Sequence, residues 1–157
     1  MNGNTSLSKA SDHYQTAEHL FHITFLVAKD PKLLLAIVKS ISNCLEYTLE
    51  TILTKEKLTA PEGLLKKINA VRPVAARHHL PNDDIVFMLR IHEILHRQKQ
   101  SPMEFKRGNA HIICSDNYDL EVVSTKDVEK FLQRTKIILN LVNKSQKRES
   151  NKKRSPL

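Results

Sequence analysis

The chain has 157 residues, 40% of them hydrophobic, and a formal net charge of +8. That length supports one domain with a real core, and three glycines and six prolines are too few for a turn-rich β fold. Two cysteines build no disulfide framework, no apolar run nears the ~20 residues of a membrane helix, and the polar start lacks a signal core; a soluble, cytoplasmic protein without a membrane partner is expected.

Residues 1–10 read as a flexible leader. From Ser11 to Ala28, the side chains of Ala17, Leu20, Phe21, Thr24 and Ala28 keep helical spacing. Asp30-Pro31 ends that helix and starts the next, with Asp30 as cap and Pro31 at the first helical position, where a missing N–H costs nothing. The second helix runs from Pro31 to Lys55 or Glu56. Its apolar stripe, Leu34, Val38, Ile41, Leu45, Thr48 and Ile52, is widened by Ile37, Cys44 and Leu49, which predicts a central helix with several neighbours. Thr59-Ala60-Pro61-Glu62 opens a third helix that Pro73 kinks or ends. A fourth covers about 82–99. Ser101-Pro102-Met103-Glu104 reads as a cap and a single turn. The period then changes: 111–114 and 120–123 flank Ser115-Asp116-Asn117-Tyr118-Asp119 as a β-hairpin. Ser124 and Asp127 resemble a capping box before a last amphipathic helix carrying Val128, Phe131, Leu132, Thr135, Ile138, Leu139 and Val142. The predicted architecture is mainly α: an antiparallel bundle of four to five helices in one domain over 11–143, with a small hairpin near 110–123 before the last helix.

Charge is uneven. Residues 144–157 carry Lys144, Lys147, Arg148, Lys152, Lys153 and Arg154 against Glu149, a net +5 that leaves +3 of the total +8 to the rest. With no apolar face, this segment reads as a disordered basic tail able to neutralise phosphates. Within the domain, 64–81 contains no acid but has Lys66, Lys67, Arg72, Arg77, His78 and His79, a second basic surface. It has no interleaved aromatic for base stacking.

His92-Glu93-Ile94-Leu95-His96 fits the H-E-x-x-H pattern, in which two histidines one turn apart bind zinc and the glutamate activates water. Here Arg90 and Arg97 flank the string. No H-x-x-G-x-x-H extension and no E-x-x-x-D follows, so a zinc site at His92 and His96 lacks its third ligand. His111-x-x-Cys114 has ligand-like spacing, but on a strand those positions point to opposite faces. Glycine-rich nucleotide loops and the G-x-S-x-G elbow are absent, so no cofactor is expected and no metal is favoured.

Ala17-Glu18-His19-Leu20 in a first helix, followed by Ile41-Ser42-Asn43-Cys44-Leu45-Glu46-Tyr47-Thr48-Leu49-Glu50-Thr51-Ile52-Leu53 in a second, resembles the opening helix pair of HEPN-like domains (higher eukaryotes and prokaryotes nucleotide-binding). Over residues 11–143 the chain also resembles small archaeal uncharacterised proteins with such a bundle. In these, a segment like Ser101-Pro102-Met103-Glu104-Phe105 precedes one like Ile113-Cys114-Ser115-Asp116. The resemblance implies a helical bundle, often dimeric. Some members are metal-independent ribonucleases with an Arg-x(4–6)-His motif; others bind nucleotides, RNA or proteins without catalysis. Arg90 with His96 has that spacing, as does Arg72 with His78 or His79. Both arginines lack the polar residue that usually follows, and Pro73 comes directly after Arg72. The expected function is therefore a non-catalytic HEPN-like binding module for RNA or nucleotide, or for a protein partner or second copy. The expected contacts are Lys66, Lys67, Arg72, Arg77, Lys147, Arg148, Lys152, Lys153 and Arg154.

Overall fold

The computed structural model describes residues 3–154, and it is mainly α, with a three-stranded antiparallel sheet ahead of the last helix. The helices are α1 (Gly3–His19), α2 (Phe25–Ala28), α3 (Lys32–Lys55), α4 (Leu64–Val71), α5 (Asn82–Gln100) and α6 (Thr125–Arg154). A π-helical segment, Leu20–Thr24, joins α1 to α2 without a break, and a 3-10 segment, Arg72–His78, extends α4.

The central helix predicted from the wide apolar stripe is α3. It packs against α1, α4, α5, α6 and the second and third strands of the sheet, and Leu34, Ile37, Ile41, Leu45, Leu49 and Ile52 are fully enclosed. Its buried threonines satisfy their hydroxyls on the preceding turn: Thr48 donates to the Cys44 carbonyl at 2.8 Å and Thr51 to that of Tyr47 at 3.0 Å. Asp30 caps as expected, accepting from the Lys32 amide at 3.1 Å. Beyond Val71, Pro73 sits in the first turn of the 3-10 segment, which ends at His79 with φ 56°.

Three expectations are corrected. The leader is helical from Gly3, because Leu7 and Ala10 are buried in the same core as Ala17 and the small alanines let α1 lie close to α3. The tail is also helical as far as Arg154. Lysine, arginine, glutamine and glutamate favour helix, no glycine or proline intervenes before Pro156, and Lys55 holds the segment by donating to Ser145 Oγ at 2.9 Å and pairing with Glu149 at 3.7 Å. The single turn expected at Ser101–Glu104 gives way to strand β1 (Met103–Arg107). There Ser101 Oγ donates to the Cys114 carbonyl at 2.6 Å and accepts from the Met103 amide at 3.2 Å, starting the strand rather than capping a helix.

The predicted hairpin is present as β2 (Ala110–Cys114) and β3 (Leu120–Ser124), and β1 makes it a meander in the order β1-β2-β3. Gly108-Asn109 forms the two-residue turn between β1 and β2, with Gly108 at φ 59°. His111, Ile113, Glu121 and Val123 face the bundle and are buried, with Ile113 and Val123 joining the main core. The predicted capping box opens α6: the Ser124 amide donates to Asp127 Oδ2 at 3.0 Å and the Asp127 amide to Ser124 Oγ at 3.1 Å.

Candidate binding cleft

The HEILH string lies along one wall of a cleft of about 550 Å³. Lys39, Ser42, Asn43 and Glu46 of α3 form the opposite wall, Gly63 and Leu64 at the start of α4 close one side, and Glu104 of β1 reaches the rim. His92, Leu95, His96, Gln98 and Lys99 come from α5. The two histidine rings stack at 5.7 Å between centroids, one helical turn apart. His92 is held below its ordinary 6.5, first by burial, then by the positive charges of His96 and Lys99, against the opposing pull of Glu93. The neutral imidazole is thereby favoured.

The acids of this cleft are committed and its cations are not. Lys67 Nζ lies 3.3 Å from Glu46 and 3.5 Å from Glu50, with only 6% of its side chain exposed. Glu104 accepts from Gln98 at 3.3 Å and binds His111 Nε2 at 2.8 Å. Lys39 and Lys99 are exposed and have no ion-pair partner among the described residues. Ser42, 8% exposed, lies at the wall with no hydrogen-bond partner for its hydroxyl among the described residues. Gly63, at φ 95° and ψ 150°, precedes α4 with no side-chain cap, so the first amides of α4 present unsatisfied donors beside it. Together these groups suit an anion: unpaired donors and ammonium groups, with the carboxylates engaged by Lys67, Gln98 and His111.

As a metal site the string falls short. Among the described residues no group of three or more His, Cys, Asp or Glu is placed to hold a metal ion. His111 is 2% exposed and points inward to Glu104, while Cys114 lies on the other face of the sheet, so their ligand-like spacing brings no convergence.

The arginine–histidine pairs are also separated. Arg90 is engaged by Glu121, which Arg97 contacts at 3.4 Å. Arg90 lines the groove between α5 and α6, whereas His96 lines the α3–α5 cleft on the other flank. His78 is taken up by Glu56 at 2.7 Å and Arg77 shares that carboxylate at 3.4 Å. Arg72, on the 3-10 segment, and His79, its C-cap, are exposed.

The expected nucleic-acid contacts divide accordingly. Lys67 is corrected: it is a buried structural cation, because two α3 carboxylates draw it inward. Lys66 and Arg72 are exposed without a partner among the described residues, and Arg77 is exposed but paired. On α6, Lys144, Lys147, Arg148 and Lys152 are exposed and unpaired among the described residues. Lys153 and Arg154 are helical, and their side chains lie outside the described residues. The sequence reading missed Lys39, Ser42, Asn43, Glu46, Lys99 and Glu104. The available signal was Ser42-Asn43 interrupting an otherwise apolar stripe.

No helix among the described residues is long and apolar enough to cross a membrane. No protein-family model, no curated protein and no solved structure matches the chain.

Proposed function

We propose that this chain is a HEPN-like, non-catalytic module that binds RNA or nucleotide through phosphates. The observation that carries the reading is the stripe on the end of α6. At 100° per residue, Lys147, Lys144, Arg148 and Lys152 fall within an arc of about 140° along roughly 12 Å of helix. The one nearby acid, Glu149, is drawn off by Lys55. Such a stripe neutralises successive phosphates without reading bases. Lys66 and Arg72 add cations on α4 and its extension, and the α3–α5 cleft supplies Lys39, Lys99 and free donors for a terminal phosphate. Binding rather than cleavage is favoured because Arg90 and His96 open onto different flanks and Glu56 occupies His78.

Fluorescence anisotropy with a single-stranded RNA tests this. Affinity should fall steeply with salt, and a chain ending at Asn143 should lose about four units of the log–log salt slope, at ~0.7 per phosphate contact for the six cations removed. No binding at low salt by either chain would refute it.

A further inference from the structure

The α3–α5 cleft holds more donor capacity than the fold uses. Lys39 of α3 and Lys99 of α5 stand on its two walls, exposed and without an ion pair among the described residues. Ser42 follows Lys39 by three residues, on the same face of α3. It is 8% exposed, lines the cleft and has no hydrogen-bond partner for its hydroxyl among the described residues. A buried hydroxyl in that state is unfavourable, and a ligand that accepts from it removes the penalty. The uncapped start of α4 adds backbone N–H donors whose dipole favours negative charge. His92 and His96 each keep at least one ring N–H in either protonation state.

The acids of the cleft decide which anion enters. Glu46 on one wall and Glu104 at the rim line the same space, held by Lys67 at 3.3 Å and by His111 at 2.8 Å. A phosphodiester inside a chain carries a single negative charge and has a phosphate on each side. Threading it through the cleft would press those flanking phosphates toward a carboxylate. Gly63 and Leu64 also close one side to a continuing chain. A chain end has fewer such obstacles. Its phosphomonoester carries close to two charges at neutral pH and three strong acceptor oxygens, and so matches two ammonium groups and a hydroxyl. We propose that the α3–α5 cleft selects the phosphomonoester at the end of an RNA over its internal phosphodiesters, with Lys39 and Lys99 holding the dianion and Ser42 donating to it. The inference rests on the RNA reading above and adds end selection to it. The cleft acts separately from the α6 stripe: Glu46 and Lys55, the residue that anchors α6, are nine residues apart, roughly 180° around α3.

Isothermal titration calorimetry of the full chain at fixed salt tests this. One short single-stranded RNA is compared with a 5′-phosphate, with a 3′-phosphate and with hydroxyls at both ends. At least one phosphorylated form should bind about tenfold tighter than the hydroxyl-ended RNA, and which one it is identifies the end. Lys39→Ala, Lys99→Ala and Ser42→Ala should each cut that ratio to about threefold, and the double lysine variant should abolish it. Both lysines are exposed, so Tm should hold in that variant. A chain ending at Asn143, and Lys66→Ala, should weaken all three RNAs alike and leave the ratio in place. Equal, salt-dependent affinity for the three RNAs would overturn end selection while leaving the RNA reading standing. A ratio that survives the double lysine variant would overturn the cleft as the site. Binding of none of the three would overturn both readings.

Discussion

Replacing Lys67 by methionine removes the ammonium while keeping an unbranched stem of similar length, so packing is preserved and the ion pairs are deleted. Breaking a buried pair from one side costs about 3–5 kcal/mol, because the remaining charge is left without compensation. Here two carboxylates are left, and they stand one turn apart on α3. Glu46 and Glu50 keep 25% and 21% of their side chains exposed, so water recovers part of the loss. A destabilisation of about 2–3 kcal/mol follows. With a urea m-value near 2 kcal/mol/M, the midpoint should fall by roughly 1–1.5 M. Lys66→Met on the same helix is the internal control: Lys66 is exposed and unpaired among the described residues, so its midpoint should move by no more than about 0.5 kcal/mol equivalent. The two variants should separate in the opposite sense for RNA, with Lys66→Met weakening binding and Lys67→Met leaving it intact. Equal midpoints for the two would mean that the buried triad contributes nothing, and would refute the assignment of Lys67 as a structural cation.

The remaining predictions concern other parts of the molecule. His92 binds its proton less readily in the folded chain than in the unfolded one, so its contribution to stability is complete above pH 6.5 and is lost as pH falls below that value toward the folded pKa. Urea midpoints measured across this window should lose that slope in His92→Asn, and an unaltered slope would show that the imidazole is not desolvated. Ser124→Ala removes the acceptor of the Asp127 amide and should cost about 1 kcal/mol, read as a lower Tm, with exposed Lys126→Ala as a neighbouring control. Burial pushes the Cys44 thiol up to about 12, so iodoacetamide should modify Cys44 only under unfolding conditions; rapid labelling of the native chain at that position would contradict the core packing of α3.

The sequence alone determined which segments are helical and those ends that local caps and breakers set. Period, caps and breakers are local properties, and Asp30-Pro31, Pro73 and the Ser124/Asp127 box act on the backbone within a few residues of themselves. The breadth of the α3 stripe even foretold its central place, since a helix apolar on most sides must have neighbours on most sides. Strand β1 was legible in principle, from the alternation of Met103-Glu104-Phe105-Lys106 and the Gly108-Asn109 turn, but Ser101-Pro102 is equally a helix start. Only pairing with β2 decides between them. The helical ends of α1 and α6 needed tertiary contacts too: Leu7 and Ala10 in the core, and Lys55 reaching Ser145 and Glu149.

Which charges remain available was settled by the tertiary structure alone. Lys66 and Lys67 are neighbours in sequence, yet one faces water and the other is enclosed by two carboxylates from α3. Arg90 and His96 share a helix and a suggestive spacing, yet face different flanks. An ion pair depends on distance in space, and only the packing of α3, α4, α5 and the sheet brings the acids that neutralise Lys67, Arg90 and His78 within reach, leaving the cations of α6 and of the α3–α5 cleft uncompensated.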